Sequence, residues 1–115
     1  MYKIKAIITT NDQPIKENVI GSFINGIISY QEENKTDVYL DINKNELIRE
    51  NEQILMKYIF DENRRSKGTI NIKDINRNLE IDIETLLLNK KDNYYYVEYK
   101  IEENKFIYEL LYTEE

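Results

Sequence analysis

The sequence predicts an all-β fold: a small antiparallel meander closed, or nearly closed, into a barrel over one domain, residues 1–115. Three observations carry that prediction. Apolar and polar residues alternate in short runs along most of the chain, and Asn, Asp, Gly or Lys clusters separate the runs. In addition, 115 residues with one Pro and three Gly suit a single core without a linker. One segment leaves an α+β alternative open, a helix at about 46–63.

Tyr2, Ile4, Ala6 and Ile8 share one face of a first strand, which Asn11-Asp12-Gln13-Pro14 is expected to end, since proline cannot continue a ladder. A second strand follows from about Ile15 to Phe23. Asn25-Gly26 lies between Phe23-Ile24 and Ile27-Ile28, and a type I′ turn requires positive φ at both central residues, so this dipeptide marks a hairpin. Ile27 to Glu33 then pairs back. Val38, Leu40 and Ile42 alternate with Tyr39 and Asp41, and Asn43-Lys44-Asn45 turns the chain. Further alternating runs are Ile70/Ile72, Leu79/Ile81/Ile83, Tyr95/Val97/Tyr99/Ile101 and Phe106/Tyr108/Leu110/Tyr112, with breaks at Asp74 to Asn78, Asn89 to Asn93 and Glu103-Asn104. In the middle, Leu47, Ile48, Ile54, Leu55, Tyr58 and Ile59 also satisfy helical spacing, with Asn45 as N-cap and Gly68 as stop. Two strands compete with that helix.

Composition narrows the chemistry. The 16 basic and 22 acidic residues give a net charge of −6, which repels nucleic-acid phosphates and anionic lipid surfaces. Neither is an expected partner. Without Cys or His there are no disulfides, thiolate nucleophiles, histidine bases or usual zinc ligand sets. Ser22, Ser29 and Ser66 therefore have no histidine to activate them. No cofactor is expected. Met1 to Thr9 lacks a signal-peptide apolar stretch, and no later run is long enough to cross a bilayer, so a cytoplasmic location is expected. The 12 Lys against 4 Arg match the codon drift of an AT-rich genome, which dilutes the meaning of any single Lys or Asn.

Several short segments occur in a recognisable order: Gly21 and Phe23 before a hairpin, Tyr30-Gln31-Glu32-Glu33, Thr36-Asp37-Val38, Leu47-Ile48-Arg49-Glu50-Asn51 and Phe60-Asp61-Glu62. Leu79-Glu80-Ile81-Asp82-Ile83-Glu84-Thr85 and Tyr96-Val97-Glu98-Tyr99 follow, before a closing strand. In this order the chain resembles the YwiB-like family of uncharacterised bacterial domains, whose fold is a calycin-type, lipocalin-like β-barrel. The resemblance implies two strands between Glu46 and Asp61. It implies no activity, and it carries over no functional residue. Two departures stand out: Asn51 replaces a family glycine, and Asp74 to Asn78 replaces a Thr-x-x-Gly turn. Asn tolerates positive φ, which lets both turns persist.

Four features are candidate sites. A barrel of about eight strands has a lumen either just filled by side chains or just able to hold a small ligand. Strands of five to eight residues carrying Ile, Leu, Phe and Tyr favour a filled one. Alternation puts Tyr95 and Tyr99 on one face and Tyr94 and Tyr96 on the other, so one pair faces outward, suited to stacking on a base, anchoring a partner or plain cross-strand packing. Arg64-Arg65-Ser66-Lys67 is the one dense basic patch, read as a loop that grips a phosphate or simply stays solvated. Arg49 either pairs with a neighbouring carboxylate or orients an anionic ligand at the barrel mouth. Glu32, Glu33 and Asp37 flank one turn, and Glu80, Asp82 and Glu84 share one face of a strand, expected to be the solvent side. Their spacing matches no EF-hand loop, and no metal site is predicted.

Together these readings give a non-enzymatic binding module, monomeric or homodimeric, for a small ligand or a protein partner. RNA binding through the tyrosines and the basic patch is an alternative, and a carboxylate- or metal-dependent enzyme is another.

Overall fold

Period-two alternation is realised as ten antiparallel strands in the computed structural model, which describes residues 1–115. They are β1 (Tyr2–Thr10), β2 (Gln13–Ile24), β3 (Ile27–Gln31), β4 (Asp37–Asp41), β5 (Glu46–Glu50), β6 (Ile54–Ile59), β7 (Ser66–Ile72), β8 (Arg77–Lys91), β9 (Tyr94–Ile101) and β10 (Asn104–Glu114). Each strand pairs with the next, and β1 pairs with β10 from Tyr2↔Glu114 to Thr10↔Phe106, closing the barrel. The only helical element is a 3-10 turn, Lys73–Ile75, so no helix is long and apolar enough to cross a membrane.

Inward residues line up in rows across the strands. One row runs Ile28, Leu40, Leu47, Tyr58, Gly68, Ile81, and another runs Ile8, Tyr108, Val97, Leu88. The core holds 17 buried apolar residues, among them Ile4, Ala6, Val38, Met56, Phe60, Ile83, Leu110 and Tyr112. Gly68 lies beneath Tyr58, where an added Cβ would come within 2.8 Å of the ring.

The closed barrel is two sheets joined at corners by its two longest strands. β2 pairs with β1 as far as Gly21 and with β3 from Ser22, while β8 pairs with β7 as far as Ile83 and with β9 from Glu84. A strand that changes sheets must bend, and each corner has a device for it. At Gly21 a Cβ would meet the Ser29 carbonyl oxygen at 2.3 Å, so only glycine allows that approach. In β8 a bulge between Thr85 and Leu87 shifts the inward set from Ile81, Ile83 and Thr85 to Leu88, leaving Leu86 and Leu87 exposed.

Several expectations are corrected. The helix at 46–63 is absent: β5 and β6 occupy the segment, and Gly68 stops nothing because it sits inside β7. Pro14 does not end the first strand. The turn is Asn11-Asp12, both with positive φ (47° and 70°), and Pro14 lies within β2 opposite Thr9. Thr10 and Gln13 flank this two-residue turn as the hydrogen-bonded pair. Pro14 is therefore in a non-hydrogen-bonded pair, its missing N–H directed to the free edge. β3 stops at Gln31 rather than Glu33, the break at 89–93 shrinks to Asp92-Asn93, the one at 103–104 moves to Glu102-Glu103, and four strands exceed eight residues. Lys67 belongs to β7, not to a loop. Asn76 does take positive φ (45°), but Asn51 does not: its side-chain oxygen accepts the Gln53 and Ile54 N–H groups instead. Asn25-Gly26 is the predicted I′ turn, with φ of 52° and 80°.

Candidate functional site: an arginine in the barrel mouth

Cross-strand register places Arg49 in an inward row. Tyr30 faces Val38, Val38 faces Arg49, Arg49 faces Met56 and Met56 faces Ile70. The Arg49 guanidinium thus enters the lumen near the end formed by the 11–12, 32–36, 51–53 and 102–103 turns.

Its counter-charge comes from a loop folded inward. Beyond β3 the Glu32 N–H donates to the Thr36 carbonyl at 2.8 Å, Lys35 takes φ 67° and donates to the Glu32 carbonyl, and Asn34 Oδ1 accepts the Thr36 N–H. This tight turn leaves Glu32 only 4% exposed. Arg49 Nη2 donates to Glu32 Oε1, and Asn51 Nδ2 donates to Thr36 Oγ1 at 3.2 Å, tying the two loops together. Arg49 Nε is different. It is the one buried side-chain nitrogen or oxygen with no hydrogen-bond partner.

At this end of the lumen lies a cavity of about 120 Å³, lined by Ile8, Thr10, Leu47, Arg49, Met56, Tyr58, Tyr99, Phe106 and Tyr108. Seven of these nine residues are hydrophobic. The lumen is therefore filled over most of its length and hollow at one end. Tyr99 stacks on Phe106 with centroids 5.3 Å apart and meets Tyr58 edge-on at 6.0 Å. The Tyr30 and Tyr108 hydroxyls hydrogen-bond to each other at 2.7 Å.

Burial pushes the Tyr30, Tyr58, Tyr99 and Tyr108 hydroxyls above the usual phenol range, and the neighbouring Arg49 charge lowers each of them only partly. Arg49 itself is already balanced by Glu32, so the pair contributes no net charge.

The other predicted residues lie apart from this cavity. Tyr95 is inside but at the opposite end, its hydroxyl 3.3 Å from Asn45 Oδ1. Tyr94 and Tyr96 are on the outer face, stacked at 6.5 Å, and their hydroxyls donate to Glu109 at 2.6 Å and Glu98 at 3.1 Å. Burial and Glu109 push Tyr94 up to about 12. Arg64 pairs with Asp61 at 3.0 Å, Arg65 with Glu84 at 3.7 Å, and Lys67 with Asp82 and Glu80, so Asp61 and the acidic face of β8 together neutralise the basic patch. Hydrogen bonding to Lys67 holds Asp82 below the usual carboxylate range. No group of three or more carboxylates converges as a metal site would require.

Of the eight residues singled out from the sequence, only Arg49 and Tyr99 line this cavity. Sequence reasoning missed Tyr58, Tyr108, Thr10 and Phe106 as wall, and Glu32 as the arginine's partner. One signal pointed there: in a two-strand reading of the middle segment, Arg49 shares parity with Leu47, the inward face of β5. No family model, curated protein or solved structure matches the chain.

Proposed function

We propose that the chain is a non-enzymatic binding module of the YwiB-like kind, a calycin-like, lipocalin-like barrel of the bacterial cytoplasm that takes a small ligand in its hollow end. The observation that carries this reading is the largely apolar cavity of about 120 Å³ at one end of the lumen, with Arg49, ion-paired to Glu32, in its wall. The tyrosines around it stay protonated far above neutrality and cannot act as bases, which favours binding over catalysis. Engagement of the Tyr94 and Tyr96 hydroxyls by Glu109 and Glu98 favours the cavity over the outer aromatic face as the binding surface.

Gentle purification followed by native mass spectrometry, together with NMR screening of compounds of up to about six heavy atoms, tests the proposal. Expected are either a retained small molecule or binders that shift the amides of Ile8, Leu47, Met56 and Phe106. A chain that is always ligand-free, with no compound moving those four amides, would overturn it.

A further inference from the structure

Resting on the binding reading above, we infer that the hollow end holds a small uncharged alcohol, whose hydroxyl meets the free hydroxyls of Tyr58 and Tyr99 while its alkyl chain fills the apolar remainder. Tyr99 and Tyr58 are only 5% and 8% exposed, and both line the cavity. Neither hydroxyl hydrogen-bonds within the chain, whereas those of Tyr30 and Tyr108 bond to each other and that of Tyr95 bonds to Asn45. Arg49 Nε is the one unbonded side-chain nitrogen or oxygen closed off from water, so the unbonded Tyr58 and Tyr99 hydroxyls keep open surface. On inward side chains more than nine-tenths buried, that surface faces the cavity. Buried polar groups in folded proteins are almost always paired, and a ligand or an ordered water serves where the chain supplies no partner.

Chemistry, charge and size narrow the occupant. Burial keeps both phenols protonated, and a protonated phenol donates and accepts, which an alcohol matches in either sense and a ketone in only one. An anion would approach through four turns carrying Asp12, Glu33, Glu52, Glu102 and Glu103 against Lys35 alone, and Glu32 already occupies Arg49 Nη2. A cation would lie against the Arg49 guanidinium in the wall. Both are disfavoured relative to an uncharged isostere, including the anionic ligand considered for Arg49 from sequence alone. Engineered cavities near 150 Å³ accommodate benzene, so about 120 Å³ holds a slightly smaller molecule, of about five heavy atoms.

Five compounds of similar size separate the possibilities: 1-butanol, 2-butanone, pentane, butylammonium and butyrate, each titrated into ¹⁵N-labelled chain with the Ile8, Leu47, Met56 and Phe106 amides followed. The expected result is that 1-butanol binds tightest, that pentane binds about tenfold more weakly with 2-butanone between them, and that the two ions are weakest. Tyr58→Phe and Tyr99→Phe each delete an oxygen that has no partner in the chain, so urea midpoints should hold. At least one of the two should lower 1-butanol affinity about tenfold without lowering pentane affinity. If 2-butanone, pentane or an ion matches 1-butanol, or if both variants keep full 1-butanol affinity, the alcohol inference is overturned while the cavity remains a binding site. If the cavity takes ordered water only, none of the five compounds moves those four amides, and the binding reading fails as well.

Discussion

Arg49 and Glu32 illustrate how one residue's energetics depend on its partner. The Glu32 side chain is 3% exposed and that of Arg49 is 27% exposed, so the carboxylate has lost more water than the guanidinium. Arg49→Ala leaves that carboxylate buried and unpaired, and is expected to destabilise the fold by about 3 kcal/mol in urea unfolding. The double change Arg49→Met with Glu32→Leu should restore most of the loss, because apolar replacement of both partners leaves no orphan charge. A smaller effect is expected at Glu102, which holds φ 55° in the β9–β10 turn. Left-handed backbone costs an ordinary L-residue about 1–2 kcal/mol, so Glu102→Gly should raise the urea midpoint by an amount equivalent to about 0.5–1 kcal/mol. At this scale the sequence was only partly legible. It exposed the Asn25-Gly26 turn because local chemistry dictates it. It hid the Asn11-Asp12 turn behind Pro14, and it hid the Glu32 partnership because register across three strands determines that meeting.

Strands were legible wherever one face is buried and the other is wet, as in β4, β9 and β10. The middle was ambiguous because Leu47, Ile48, Ile54, Leu55, Tyr58 and Ile59 fit both periods, and only cross-strand pairing decides between them. The corners were illegible for another reason: alternation breaks at the β8 bulge, and Leu86-Leu87-Leu88 reads as a continuous apolar run. Gly21→Ala is expected to cost more than 2 kcal/mol, since the new methyl collides with backbone that cannot yield. Circular dichroism melting would show it. The sheet change at Gly21 also leaves the outer edge of β2, residues 13–20, without a ladder partner, since β3 pairs only with Ser22 to Ile24. Pro14 and Lys16 blunt that edge, one by lacking an N–H and the other by its charge. Replacing both with Val should produce concentration-dependent association by sedimentation velocity, whereas an unchanged sedimentation coefficient would show that the edge is protected by other means.

Across the whole barrel, tyrosine burial sets the pH response. Burial raises Tyr30, Tyr58, Tyr95, Tyr99 and Tyr108 above the unfolded value of about 10. A group raised in this way contributes stability that is complete below about pH 10 and is lost as pH climbs through its folded value. Thermal midpoints should therefore show no fall from these groups up to about pH 10, then drop with the 295 nm tyrosinate absorbance rising in the same transition. A midpoint unchanged to pH 12 would contradict the burial. The antiparallel meander was legible at this scale, but its closure was not, because no local signal says that Tyr2 will lie opposite Glu114. That seam has a kinetic consequence. Nine residue pairs of β1 wait for partners 96 to 112 residues downstream, and entropy resists bringing such distant segments together. A nascent chain emerging from the ribosome thus carries β1 with one side unzipped until β10 has cleared the exit tunnel, and the final latch should set a refolding time of milliseconds to seconds.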